Sequence, residues 1–248
     1  AKKVSLDADK DPVLASAVNF YGDDISQKEV EAFYAKLEKK NDPQPLSYGL
    51  NSRLVRGKDG KLMEQVYKVD GLYGPALAES VKWLEKAVTV AETPEQKAAL
   101  ELLIQYYRTG DLKTWDDFNV AWVKDTKSTV DYILGFVEVY NDPIGKRGSY
   151  EAIVEVNDPE ATKNMAVIME NAQWFEDNSP LLPQHKKKDV VGITYRFINT
   201  FGEAGDAAPS TPVGVNLPNA NWIRAAHGSK SVSLGNISEA YDKSSGPS

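Results

Sequence analysis

The chain has 248 residues, 42% of them hydrophobic, enough to bury the core of one large domain or two smaller ones. Its 29 basic and 36 acidic residues leave a net charge of -7, with no basic stripe long enough to follow a phosphate backbone, which argues against nucleic acid as a partner. There is no cysteine, so disulfide frameworks, thiolate metal sites and cysteine nucleophiles are excluded, and no apolar run approaches the roughly 20 residues that a membrane span needs.

The predicted elements begin with helices. The chain opens on "AKKVSLDADKD", with neither an initiating methionine nor a signal-peptide core, and closes on "KSSGPS", which reads as a tail cut in mid-connection; an internal piece of a longer protein is expected. Ser26 and Glu29 form a capping box and Ile25 stands at staple spacing from Val30, ahead of Phe33, Tyr34 and Leu37 on the same face, so a helix is predicted over 27–40. "SRLVRGKDGKLMEQVYKV", 52–69, reads as a hairpin turning at Asp59-Gly60. Pro75 opens a helix with Leu77, Val81, Leu84 and Val88 on one side, and Thr93-Pro94 with Gln96 opens another that Gly110 closes. Trp115, Phe118 and Trp122 then form a core-facing stripe on a helix near 114–124.

From residue 130 the pattern changes. "YILGFVEVY", 132–140, predicts a strand, the turn "NDPIGKRGS" follows, and "YEAIVEV", 150–156, alternates as its partner. Asp158-Pro159 starts a helix predicted to run through Met165, Ile168, Met169 and Ala172. "VVGITYRF", 190–197, predicts a strand with Val191, Ile193, Tyr195 and Phe197 on one side, and "GEAGDAAPSTPVG" is a loop by composition. The order implies an α+β class, divided as a mainly helical region 1–129 with one hairpin and a mixed region 130–248, together one continuous unit.

Chemistry is harder to find. Only His185 and His227 occur, 42 positions apart, so a two-histidine metal motif is absent, as are a G-x-S-x-G elbow and a phosphate-cradling loop. The lysines of "HKKKD", 185–189, read as a solvated turn. Recognition chemistry is better represented. Alternation places Phe136, Glu138 and Tyr140 on one strand face, with Val137 and Val139 on the other, leaving the Glu138 carboxylate among apolar neighbours. Its partner is either a structural cation such as Arg147 or a ligand's ammonium group. In "GVNLPNANWIR", 214–224, asparagine amides offer the donor and acceptor vocabulary of a peptide bond, and Pro218 holds Asn216 and Asn219 in fixed relation. Asn221 reads as a helix cap, Asn216 as a ligand group.

Two blocks resemble one family. "WVKDTKSTVDYILGFVEVYNDPIGKRGSYEAIV", 122–154, resembles the dipeptidyl peptidase III family of zinc exopeptidases, with its G-F-I-E-x-Y-x-D-P-x-G core, and "GVNLPNANWIRAAHGSKSVSLGN", 214–236, resembles that family's G-I-N-[IL]-P-N block with its following arginine and S-L-G-N. "GLYGPALAESVKWLEKA" and "YYRTGDL" look like the bacterial branch. The resemblance implies that Glu138 and Tyr140 receive the amino terminus and backbone of a short peptide, that Asn216 and Asn219 hold its first two residues with Arg224 nearby, and that Pro212, Val213 and Gly214 pair with it by strand addition. It also implies part of a lower lobe built on a five-stranded, barrel-like sheet against which the helical first half packs. The family's zinc motifs, a histidine-glutamate-x-x-glycine-histidine helix and a later glutamate, are not in this sequence. This chain is therefore expected to hold no cofactor, no metal ligand and no catalytic residue, and to be inactive by itself. In the full-length parent, zinc and a separate zinc-binding lobe would complete a peptidase releasing dipeptides from peptide amino termini. The alternative is a stand-alone, non-enzymatic peptide-binding module. A Nudix-type pyrophosphohydrolase would need an R-E-x-x-E-E helix, which is absent. The compartment is left undetermined.

Overall fold

Local capping chemistry sets the first half of the chain. A computed structural model describes residues 4–190, 193–208 and 211–245. Helix α1 (Pro12–Ala15) is capped by Asp11, whose carboxylate accepts from the amides of Val13 and Leu14. The expected capping box of Ser26 and Glu29 opens α2 (Gln27–Tyr34), and the staple residues Ile25 and Val30 are both fully buried. This helix stops at Tyr34, short of residue 40: Tyr34 is the last residue with a buried anchor, Leu37 is exposed, and the amides of Leu37 and Glu38 both turn back to the Tyr34 carbonyl.

Strands β1 (Ser52–Arg56) and β2 (Leu62–Val66) form the predicted antiparallel hairpin, with Gly60 at φ 78 in its turn, a left-handed conformation that glycine adopts without steric cost. Helix α3 (Gly74–Val88) buries Leu77, Val81 and Leu84, as its spacing predicts, and contacts α4 (Pro94–Thr109). Thr93 caps α4 by accepting from the Gln96 amide, and Gly110 ends it at φ 70. Helix α5 (Leu112–Lys124) buries Trp115, Phe118 and Trp122 as expected.

Strands β3 (Val130–Glu138) and β4 (Ser149–Asn157) follow. The single helix predicted after Asp158 is three short ones, α6 (Pro159–Asn164), α7 (Ala166–Glu170) and α8 (Ala172–Asp177). None of their residues is buried, so no continuous apolar face holds them in one cylinder, and the Asn171 amide donates back to the Val167 carbonyl. A 3-10 turn at Pro183–His185 leads to β5 (Ile193–Gly205), which runs into the segment that composition marked as loop. Then come β6 (Gly214–Leu217), α9 (Asn221–His227), β7 (Ser229–Leu234) and α10 (Gly235–Ser245). The class is α+β, as expected, and the larger sheet has five strands in the order β3-β4-β5-β7-β6. Strand β7 pairs parallel with β5 and antiparallel with β6, which leaves β6 at an edge among the described residues.

Along β5, Val191 lies outside the described residues, Tyr195 and Phe197 are half-buried, and the alternate positions Arg196 and Ile198 are buried. Phe197 nevertheless explains the glycine after β7: a Cβ on Gly235 would lie 2.1 Å from its ring. The neighbouring Asn236 closes a two-way amide clasp on Thr200, accepting from its amide and donating to its carbonyl, each at 2.9 Å, and so ties the start of α10 to β5.

By contacts the chain forms two compact units that interleave along the sequence: residues Ala1–Phe118 with Leu134–Glu151, and residues Asn119–Ile133 with Ala152–Ser248. The first has a core around Ile25, Val30, Tyr34 and Leu54, and the second one around Ile198, Val232 and Leu234.

Candidate functional site

The first unit carries the expected carboxylate and tyrosine. Strand β3 ends at Glu138, which is half-buried, two residues before the expected end at Tyr140. Phe136 and Val137 are both buried, so near that end the strand is covered on both faces. Tyr140 lies in the turn and is 73% exposed, out of the strand's alternation. The chain leaves the strand where the Val139 carbonyl accepts from the Asp142 amide, just ahead of Pro143, which has no N–H for a ladder.

That turn is built on two buried charges. Asp142 accepts from Tyr21 Oη at 2.9 Å and from the amides of Lys146 and Arg147 at 2.7 and 2.8 Å. Arg147 has no exposed surface, and its guanidinium donates to the Gly49 carbonyl and Ser52 Oγ, both at 2.7 Å, and to Tyr34 Oη. The Glu64 carboxylate stands 3.5 Å from the Arg147 guanidinium. Burial raises the hydroxyl pKa values of Tyr21 and Tyr34, keeping both as donors at neutral pH. Further along β3, Gly135 is required by packing, since a Cβ there would meet the Trp115 ring at 2.7 Å. A cavity of about 390 Å³ in the same unit is walled by Phe20, Tyr67, Tyr73, Phe136 and Tyr150 and lined by no charged side chain.

The second unit carries the amide block. Pro212 and the exposed Val213 lead into β6, whose first residue, Gly214, is exposed. Val215 packs toward Ile198, Val232 and Leu234, and Leu217 is buried, so the alternation turns Asn216 outward, where it is exposed. The Leu217–Pro218 bond is cis, and Asn219 is exposed after it. Arg224, on α9, comes back to this strand: its Nη1 lies 2.7 Å from Asn216 Oδ1 and 3.3 Å from the carbonyls of Asn216 and Pro218. The structure thus brings Asn216 and Arg224 together. Asn221 is not the expected cap, because the N-cap position is held by Ala220, without a side-chain cap bond, and Asn221 is the first helical residue.

Sequence reasoning missed a second group in this unit, a set of buried charges with one residue from each of four sheet strands. Asp131 on β3 accepts from Lys230 Nζ on β7 at 2.7 Å, from Arg196 Nη1 on β5 at 3.4 Å and from Trp122 Nε1 at 2.9 Å. Lys230 also stands 4.2 Å from the centre of the Trp122 ring. Glu155 on β4 is fully buried, and neither of its carboxylate oxygens has a hydrogen-bond partner. Burial first, and the nearby Asp131 charge second, push its pKa up to about 8, so it is a neutral acid at pH 7. The signal available in the sequence was a charge in mid-strand among apolar neighbours, as in "TVDYIL", "IVEV" and "TYRFI".

These elements match solved dipeptidyl-peptidase III structures. The one from Corallococcus sp. strain EGB superposes with a TM-score of 0.74 at 26% identity, covering 90% of this chain and 40% of that chain. The one from Caldithrix abyssi gives 0.73 at 25% identity, covering 93% and 44%. The fold is therefore that of part of a dipeptidyl-peptidase III structure. The model of Peptidase family M49 matches residues 13–247, and the chain belongs to that family. Among curated proteins, the human Dipeptidyl peptidase 3 is 29% identical over 167 residues, 67% of this chain and 22% of that protein. The chain thus spans about a quarter of the length of the curated relatives it matches. M49 peptidases are zinc metallopeptidases. Among the described residues, no group of three or more His, Cys, Asp or Glu side chains could hold a metal ion, so these residues do not fit the zinc. No helix among them is long and apolar enough to cross a membrane.

Proposed function

We propose that this chain is the peptide-binding portion of a zinc-dependent dipeptidyl peptidase that releases dipeptides from the amino termini of short peptides. In this reading the zinc and the residues that work on it belong to another lobe of the parent protein, and this chain alone is inactive. Its own residues bind and orient the substrate. The Glu138 carboxylate and Tyr140 meet the peptide's ammonium group and first backbone atoms, and the stretch from Pro212 to Gly214 adds the extended peptide as a strand. Asn216 and Asn219 engage its amides, with Arg224 beside them.

The observation that carries the reading is β6: a short edge strand whose outward side chain is an amide, in a chain whose family cleaves peptides. An open edge offers backbone groups to any extended chain, and an amide beside it adds a donor that reads the peptide backbone rather than its side chains.

Calorimetric titration of the chain with a tetrapeptide tests the assignment. Binding is expected in the unmodified chain and should weaken about tenfold or more in both Glu138→Ala and Asn216→Ala, the loss associated with a desolvated hydrogen bond or ion pair. Equal affinity in all three proteins would remove these residues from the site. Release of dipeptides from a fluorogenic substrate by the chain alone, undiminished by a chelator, would overturn the division of labour.

A further inference from the structure

We infer that Arg224 is a positioning residue that fixes the register of a strand added to β6, by closing the edge at Asn216 and turning that residue's amide into a pure donor. The inference rests on the reading of β6 as a peptide-binding edge.

The polarity of the edge follows from the pairing. Strand β6 runs antiparallel to β7, with Gly214 opposite Ser233 and Asn216 opposite Ser231. One step earlier, the Leu234 amide donates to the Val213 carbonyl at 3.0 Å. In an antiparallel ladder hydrogen-bonded and non-bonded pairs alternate, so Val213, Val215 and Leu217 direct their main-chain groups at β7, whereas Gly214 and Asn216 direct theirs away from it. The outward edge therefore consists of the N–H and carbonyl of Gly214 and of Asn216.

Arg224 occupies part of that edge. Its Nη1 lies within 3.3 Å of the outward Asn216 carbonyl and of the Pro218 carbonyl beyond it, and Pro218 has no N–H to offer. An added strand can exchange both backbone hydrogen bonds at Gly214 but not at Asn216. Without the guanidinium the edge would offer two equivalent frames two residues apart, and a two-residue slip keeps every side chain on its own face, so side-chain packing alone would not forbid it. For a protein that must count residues from a peptide's end, that slip is the error to prevent.

The same nitrogen sets the chemistry of the Asn216 side chain. Arginine has donors only, so the group facing it at 2.7 Å must be Oδ1, which leaves Nδ2 and its two hydrogens directed elsewhere. Where the backbone ladder stops, a side-chain donor takes over, and the group it fits is a peptide carbonyl. Arg224 thus acts through Asn216 rather than on the peptide.

Nitrogen-15 NMR of the chain tests this without any ligand. In the peptide-free protein, Arg224→Ala is expected to move the Asn216 Nδ2H2 signals to the positions of a free asparagine, and Arg224→Lys to restore part of the shift. Asn216 signals unchanged in Arg224→Ala would overturn the clamp. Tetra-alanine is then added. In the unmodified chain it should shift the Gly214 amide and the Asn216 Nδ2H2 signals together. In Arg224→Ala the affinity should fall about tenfold and the Asn216 backbone amide should begin to respond, as a second frame opens. Asn216→Asp keeps an acceptor for Arg224 but loses the donors, so it should stay folded, keep the Arg224 side-chain signals and bind at least about tenfold more weakly. Identical shifts and affinity in Arg224→Ala and the unmodified chain would overturn the register role. If tetra-alanine moves neither signal in the unmodified chain, the peptide-edge reading and the register role fail together, while the peptide-free spectra still decide whether the clamp exists.

Discussion

Each of the two units buries a cluster of charged groups, and each handles the cost differently. In the first, Arg147 is taken out of water but surrounded by acceptors: a carbonyl, two hydroxyls and, at 3.5 Å, the partly exposed Glu64. In the second, Asp131 serves two buried cations, Lys230 and Arg196, while Glu155 beside them has no hydrogen-bond partner. An arginine keeps its charge and must be solvated by the protein, whereas a carboxylate can give up its charge by taking a proton. The charge at the centre of the first cluster is therefore fixed, whereas the second holds an acid whose charge depends on pH.

The strongest way to break this contrast is Asp131→Asn, which removes the one carboxylate to which both Lys230 and Arg196 are bonded. It should destabilise the second unit by about 3–5 kcal/mol, read as a fall in the denaturant midpoint of Trp122 fluorescence. Arg147→Met should cost less, about 2–4 kcal/mol, because the abandoned Glu64 is 26% exposed and can rehydrate, although the Gly49 carbonyl loses its donor. The smallest effect is the one that sharpens the comparison. With its pKa pushed from 4.5 to about 8, Glu155 stays protonated in the folded protein while the unfolded chain ionises. Folding stability contributed by this group is complete below pH 4.5, declines as pH rises toward 8 and is level above it. Glu155→Gln should remove that decline and make the protein more stable than the unmodified chain by about 1–2 kcal/mol already near pH 6, with little difference at pH 4. A parallel pH profile for the two proteins would show that Glu155 is solvated after all.

What was legible in the sequence was local. The Ser26–Glu29 box, the Asp59-Gly60 turn, the Thr93 cap and the Gly110 stop each involve residues within a few positions of one another, and all formed as predicted. The family blocks were legible for a different reason, since two spaced motifs are specific without any fold. The misses inside the sheet were mostly long-range. Arg196 turns inward because Asp131, 65 residues away in sequence, is there to meet it, and no window of β5 contains that information. In the candidate site, the amides of "GVNLPNANWIR" could be recognised as recognition chemistry, but the contact of Arg224 with Asn216 depends on α9 folding back over β6. The end of β3 at Glu138 was missed because the apolar run reads on through Val139, whereas Asp142 has already drawn that carbonyl into the turn.

The interleaving of the units has a consequence for how the protein can be taken apart. The chain crosses between them at 118/119, 133/134 and 151/152, so neither unit is one uninterrupted segment. No single protease cut and no single gene truncation can release either of them whole. A boundary at 129/130, natural as it looks from composition, would divide β3 from the end of α5 and separate Asp131 from Trp122. Each unit is complete only in a chain that spans all three crossings.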